Sequence, residues 1–150
     1  MIPARLTETI VHSLDRLAQK LLPDPDVPEH LRVGKSGEDD AYFYLRKLGY
    51  VMVARNVRSP RCDGEIDLIG WQGDTLCFIE VKTRTTHDVK PPEAAVDKRK
   101  QHEIALVARD YLRHIARPCQ WRFDVISVYY DGHTTRRPTF ELFKNAFSMS

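Results

Sequence analysis

The stretch Gly64-Glu65-Ile66-Asp67-Leu68-Ile69, continuing through Trp71-Gln72-Gly73-Asp74-Thr75-Leu76 to Phe78-Ile79-Glu80-Val81-Lys82, decides how this chain is read. Two apolar, β-branched runs flank Gly73-Asp74, and a two-residue loop of that composition signals a β-hairpin. Counting outward from the loop pairs Gln72 with Thr75, Trp71 with Leu76, Ile69 with Phe78 and Asp67 with Glu80. One step further out, Ile66 meets Val81 and Glu65 meets Lys82. Strand side chains alternate faces with period two. The register therefore predicts Glu65, Asp67, Glu80 and Lys82 on one face, and Ile66, Leu68, Ile79 and Val81 on the other. A slip of one residue would send Asp67 to the wrong face.

Carboxylates held this close repel one another, and burying them costs free energy unless a cation or hydrogen bonds compensate. Mg²⁺ takes one or two carboxylates and fills its remaining positions with waters and substrate phosphates. Asp67 and Glu80 suit that role, with the Val81 carbonyl oxygen as a third ligand. Lys82 beside the ion would orient an attacking water and stabilise charge on a phosphate. The competing reading is a surface hairpin with a Glu65–Lys82 cross-strand pair worth about 0.2–1 kcal/mol. The apolar flanks on both strands favour the metal site.

A chain of 150 residues, 42% hydrophobic and 29% charged, is of one-domain size and globular composition. The formal net charge of +2 identifies no partner. Its distribution is more telling: Arg55, Arg58, Arg61, Lys82, Arg84, Lys90, Lys98, Arg99 and Lys100 crowd the centre. Cys62, Cys77 and Cys119 include no C-x-x-C spacing, which speaks against a disulfide framework and a zinc ribbon. No apolar run approaches the roughly 20 residues of a membrane span, and no signal-peptide pattern is present. A reduced, cytoplasmic protein without membrane association is expected.

Residues 1–32 read as an N-terminal unit: an amphipathic helix marked by Leu6, Ile10, Leu14, Leu17 and Leu21, then a Pro-rich linker from Pro23 to Pro28. Residues 33–150 read as one α/β domain. Its first helix is predicted to open at Ser36 as N-cap and to end at Gly49. Ala41, Leu45 and Leu48 form its buried stripe. Glu38 lies on that stripe, where it either complements the helix dipole or reaches the acidic cluster. Tyr50–Arg58 reads as a strand and Ser59–Gly64 as a loop.

After Lys82, the polar, Pro-ended loop from Thr83 to Pro92 offers Arg84 to phosphate oxygens, unless it is merely solvated; His87 reads as a bystander. A helix is expected from about Asp97 to Ile115, with Ile104, Val107, Ala108, Tyr111, Leu112 and Ile115 inward. Lys100 shares that face, as an active-site cation or as a lysine snorkelling off the apolar stripe. Lys98 and Arg99 point elsewhere. Trp121–Tyr130 is a strong strand, Asp131-Gly132 a turn and Thr139–Phe143 a shorter strand. Arg122 and Asp124 alternate on one face and suit a structural pair. The sum is a mixed β-sheet flanked by helices.

These residues resemble the restriction-endonuclease-like, PD-(D/E)XK superfamily, in which an Asp precedes a strand carrying Glu-x-Lys on a mixed sheet. Asp67 and Glu80-Val81-Lys82 match that pattern. The likeness is closest to the YraN-like family of predicted endonucleases. It is carried by Gly37-Glu38 with Ala41, Gly49-Tyr50, Asn56-Val57-Arg58, Gly64-Glu65-Ile66-Asp67-Leu68-Ile69, Glu80-Val81-Lys82-Thr83-Arg84, Lys100 and Arg122-Phe123-Asp124-Val125. The block is also similar to archaeal Holliday-junction resolvases, which pair a helical Glu with the same hairpin acids. The resemblance runs from roughly Val33 to Phe147. It departs at Ile66, where the superfamily often has Pro.

The expected function is a Mg²⁺-dependent endonuclease, with Mn²⁺ as a substitute, acting on nucleic acid. Asp67, Glu80 and the Val81 carbonyl would bind the ion, with Glu38 beside it or one layer out. Lys82 would position the attacking water. Glu65 would tune Lys82 or touch a second metal, and Arg84 and Lys100 would hold phosphates. The resolvase likeness implies structured or branched DNA, with RNA the weaker option. Two-strand cleavage suits a homodimer. The alternative is a catalytically inactive nucleic-acid-binding or scaffolding module on the same fold.

Overall fold

The Gly73-Asp74 loop forms the hairpin its residues require. Gly73 takes φ 57°, a left-handed conformation open to glycine. Strands β2 (Cys62–Gln72) and β3 (Thr75–Arg84) then pair antiparallel, Gln72 with Thr75, Trp71 with Leu76 and Ile69 with Phe78. The computed structural model describes residues 29–84, 96–130 and 138–149, with side chains from Ser36 onward. The remaining elements are α1 (Glu29–Lys47), β1 (Val51–Ser59), α2 (Lys98–Leu112), β4 (Gln120–Tyr129) and β5 (Thr139–Phe147).

The five strands form one sheet in the order β1-β2-β3-β4-β5. Every neighbouring pair is antiparallel except β3 and β4, which run parallel from Thr75↔Gln120 to Arg84↔Tyr129. Parallel neighbours need a crossover, and α2 lies in it. Each face of the sheet buries one helix. Ala41 and Leu45 of α1 pack with Leu68, Cys77, Ile79, Ile126 and Val128. Ile104, Val107 and Ala108 of α2 pack with Ile69, Leu76, Phe78, Phe123 and Val125. The expected α/β architecture is observed.

Gly49 ends α1 as its position predicts. At φ 91° it lets the Gly49 and Tyr50 amides donate to the Arg46 and Leu45 carbonyls, both at 3.1 Å. That is a Schellman cap, and Tyr50 and Leu45 are buried in the same core cluster. Asp97 caps α2, its carboxylate accepting from the Lys100 amide at 2.8 Å.

Five expectations are corrected. Thr83 and Arg84, expected in a loop, belong to β3, because β4 offers them partners in Val128 and Tyr129. Helix α1 begins at Glu29, so Ser36 is an interior residue and not the N-cap; the Glu, Leu, Arg and Lys residues before it are good helix formers. Leu48 is 49% exposed, because it falls in the cap, past the last turn that meets the sheet. The predicted loop over Ser59–Gly64 shrinks to Pro60 and Arg61, with Ser59 paired to Cys62. The Ser59 hydroxyl makes this tight turn by accepting from the Arg61 amide at 3.1 Å while donating to Asp110 at 2.8 Å. Strand β5 runs on to Phe147, because Asn145 adopts φ 53° and donates its amide to Asp124 at 2.9 Å, after which Phe147 pairs with Phe123. The strand passes this point through a bulge opposite Asp124.

Arg122 and Asp124 are structural, as expected. Arg122 Nε donates to both Asp124 oxygens at 2.8 and 3.0 Å, and its terminal nitrogen reaches Gln72 at 2.6 Å and Tyr50 at 3.2 Å. Asp124 is fully buried. Burial and the Asp124 charge push the Tyr50 hydroxyl up to about 12 and the Cys77 thiol up to about 11. The N-terminal helix and linker, the segment with His87 and the Asp131-Gly132 turn lie outside the described residues. Among the described residues no helix is long and apolar enough to cross a membrane.

Candidate metal centre

Past Leu68↔Ile79 the backbone pairing of β2 with β3 stops, while β3 stays paired with β4 as far as Arg84. The sheet forks at that point, and the acids sit in the fork. Asp67 stands where the next pair would form. Its Oδ2 accepts a hydrogen bond from the Val81 amide at 2.7 Å, in place of a backbone partner. In a strand, the N–H and C=O of one residue point to the same edge. The Val81 carbonyl therefore points to the same edge of β3, the one that faces β2.

Asp67 and Glu80 are neighbours in the fork, close enough for the Glu80 charge to act on the Asp67 carboxyl. Burial first, and then the Glu80 charge, push the Asp67 carboxyl up to about 7; the Val81 amide and Lys100 pull the other way without prevailing. Glu80 is 5% exposed and faces the α2 side. Its Oε1 lies 3.3 Å from Lys82 Nζ and 3.7 Å from Lys100 Nζ. Its Oε2 is buried with no hydrogen-bond partner among the described residues. Period two on β3 and the helical period on α2 thus bring Glu80, Lys82 and Lys100 together. Arg84 follows two residues after Lys82 on the same strand, and its Nε is likewise buried and unpartnered among the described residues.

Two predicted placements fail. Ile66 does not share a face with Leu68; it packs beneath α2 with Ile69 and Phe78, while Leu68 and Ile79 face α1. Strict alternation breaks around Asp67, opposite Asn56, whose φ is 48°. Glu65 in turn does not meet Lys82, because β2 has already left β3. It accepts from Asn56 Nδ2 at 3.0 Å and pairs with Arg58. Glu38 does approach the acids: Asn56 Nδ2 donates to it at 3.0 Å, and burial, helped by the Asp67 charge, raises its carboxyl above the usual range. Sequence reading passed over Asn56 as a chemical group. The available signal was an Asn inside a strand, where that residue is depleted and where left-handed backbone is one of its few uses.

Among the described residues no three His, Cys, Asp or Glu side chains converge as a ready-made cage. Mg²⁺ does not need one. Two neighbouring carboxylates, one of them with an oxygen orphaned among the described residues, and a carbonyl on the same strand edge make a hard, all-oxygen donor set that fits it. A surface groove lined by Val51, Trp71, Pro118 and Cys119 lies at the other end of the sheet, by the hairpin loop, and holds none of these groups.

The model of the uncharacterised protein family UPF0102 matches residues 37–128. The chain belongs to this family. It is 51% identical to a UPF0102 protein of Koribacter versatilis over 135 residues, 90% of this chain and 92% of the relative. It is 40% identical to one of Solibacter usitatus over 141 residues, 92% and 97% of the two chains. A UPF0102 protein of Caldicellulosiruptor saccharolyticus is 38% identical over 116 residues, 77% and 96% of the two. The UPF0102 match opens at Gly37, beside Glu38, and closes in β4, so it spans every acid and lysine of the fork.

Proposed function

We propose that this chain is a divalent-metal-dependent nuclease, using Mg²⁺ or Mn²⁺ to hydrolyse phosphodiester bonds. The observation that carries this reading is Asp67 set beside Glu80, with two ammonium groups on one Glu80 oxygen and the other oxygen buried without a partner among the described residues. Asp67, Glu80 and the Val81 carbonyl would hold the ion, which when bound supplies Lewis-acid polarisation of a phosphate oxygen and a more acidic water.

The side chains divide the remaining work. Lys82, 32% exposed and anchored on Glu80, would orient the attacking water and offset charge building on the phosphate. Lys100 approaches Glu80 from the start of α2 and would hold an adjacent phosphate, with Arg84 beyond Lys82 doing the same. Glu38 would stand beside the ion or one layer behind it. Structured or branched DNA is the substrate that the resolvase likeness favours, and a homodimer would present one centre to each strand.

The test is cleavage of branched, flapped and linear DNA, with an RNA panel in parallel, in Mg²⁺ or Mn²⁺. Wild type should cleave at least one substrate, and Asp67→Ala and Lys82→Ala should not. Nucleic-acid binding with no cleavage in either metal would replace this reading with a binding module.

A further inference from the structure

We infer that Asn56 is a positioning residue of this centre, its carboxamide holding Glu38 next to Asp67 while its left-handed backbone marks the point where β2 turns Asp67 into the fork. The inference rests on the metal-centre reading above and assigns a role to a residue outside its predicted ligands.

The geometry is specific. Arg55↔Leu68 and Val57↔Ile66 are paired, so Asn56 stands directly across from Asp67. Its φ of 48° is open to Gly, Asn and Asp and costly for a β-branched or bulky residue. Its Nδ2 carries two hydrogens, and two carboxylates accept from it at 3.0 Å, Glu38 Oε2 and Glu65 Oε1. Glu38 is repelled by Asp67 and by Glu65, while the Asn56 amide and the Arg55 charge favour its ionised form. The flanking arginines are engaged with other acids, Arg55 with Asp39 and Arg58 with Glu65. Without the amide, repulsion would drive the Glu38 side chain out toward water.

The residue type also matters. A cation at this position would hold Glu38 equally well, but it would offset the negative potential that attracts a metal ion. A neutral double donor holds the acid and leaves the charge in place. Asp would tolerate the backbone conformation but would add a further carboxylate and remove the donor.

The experiment is a Mn²⁺ titration, read by water-proton relaxation, of wild type, Asn56→Gly, Glu38→Gln and the double variant, with a urea melt of each. Glycine keeps the left-handed backbone, so Asn56→Gly should fold with near wild-type stability. It should bind Mn²⁺ roughly tenfold more weakly, the low end for a residue supporting a metal ligand, because Asn56 is exposed. Glu38→Gln should lose a similar factor, and the double variant should be no weaker than the worse single, since both act through one side chain. Wild-type affinity in folded Asn56→Gly, or losses that multiply in full in the double variant, would overturn the inference while leaving the metal centre standing. Failure of wild type to bind Mn²⁺ at all would overturn both.

Discussion

Replacing Asp67 by Asn should stabilise the metal-free protein above neutral pH, and the reasoning can be followed quantitatively. The native state raises the Asp67 carboxyl from 3.8 to about 7, through burial and then the Glu80 charge. Between those values the folded chain holds a proton that the unfolded chain has released, so stability falls as pH rises through the window. At about 1.36 kcal/mol per unit, a shift from 3.8 to about 7 corresponds to roughly 4 kcal/mol. The part that falls between about pH 5 and pH 8 is roughly 2–3 kcal/mol. Asn keeps an oxygen for the Val81 amide and offers an N–H to Glu80, so the exchange removes the charge and keeps the hydrogen bonds. Urea unfolding in EDTA should therefore find Asp67→Asn more stable than wild type near pH 8, by up to roughly 4 kcal/mol, with about 2–3 kcal/mol of that gap lost by pH 5. Titrating groups distant from Asp67 cancel in the difference. A gap that does not change with pH, or a variant less stable than wild type at pH 8, would refute the argument that Asp67 is held in an unfavourable charge state.

Further outcomes follow from the same geometry. Saturating Mg²⁺ should raise the melting temperature of wild type but not of Asp67→Ala or Glu80→Gln; an ion at a hundred times its Kd stabilises by about 2.7 kcal/mol, and equal shifts in all three would remove these residues from the ion's ligands. A methyl group at Gly37 would overlap the Thr83 hydroxyl and come 3.2 Å from the Thr83 Cβ. Gly37→Ala should thus cost about 1–3 kcal/mol in a urea melt, and adding Thr83→Ala should recover part of it. Arg122→Ala would strip the buried Asp124 carboxylate of its cation and should cost about 3 kcal/mol or more; a loss below about 1 kcal/mol would mean that Asn145 and water satisfy Asp124 on their own.

The hairpin was legible because its signals are local. Gly73-Asp74 fixes the loop, and apolar residues on both flanks fix the register out to Ile69↔Phe78. Glu80 and Lys82 were legible from period two, and Lys100 from its spacing to Ile104 and Val107. The orientation of Ile66 and the partners of Glu65 were not, because they depend on β2 leaving β3, an event produced by the strand across from it. The left-handed Asn56 is marked in sequence only by being an Asn inside a strand, and that mark does not say which carboxylates it holds. The start of α1 was misread for a related reason: Ser36-Gly37 has the chemistry of a helix beginning, yet Gly37 serves as the place where α1 touches Thr83. Local propensity marked a boundary, and contact with the sheet overrode it.

Parallel pairing of β3 with β4 obliges the chain to travel back along the sheet, and α2 makes part of that journey. The same detour delivers an ammonium to a carboxylate 20 residues earlier in the chain. Lys100 is held in place by the Asp97 cap and by the burial of Ile104 and Val107. Changes of length upstream, between Arg84 and Val96, should therefore leave its position untouched. One residue inserted between Lys100 and Ile104 would swing that ammonium about 100° around the helix, away from the fork. For this protein, tolerance to insertion should change abruptly at Asp97, and a scan of single-residue insertions would trace that edge directly.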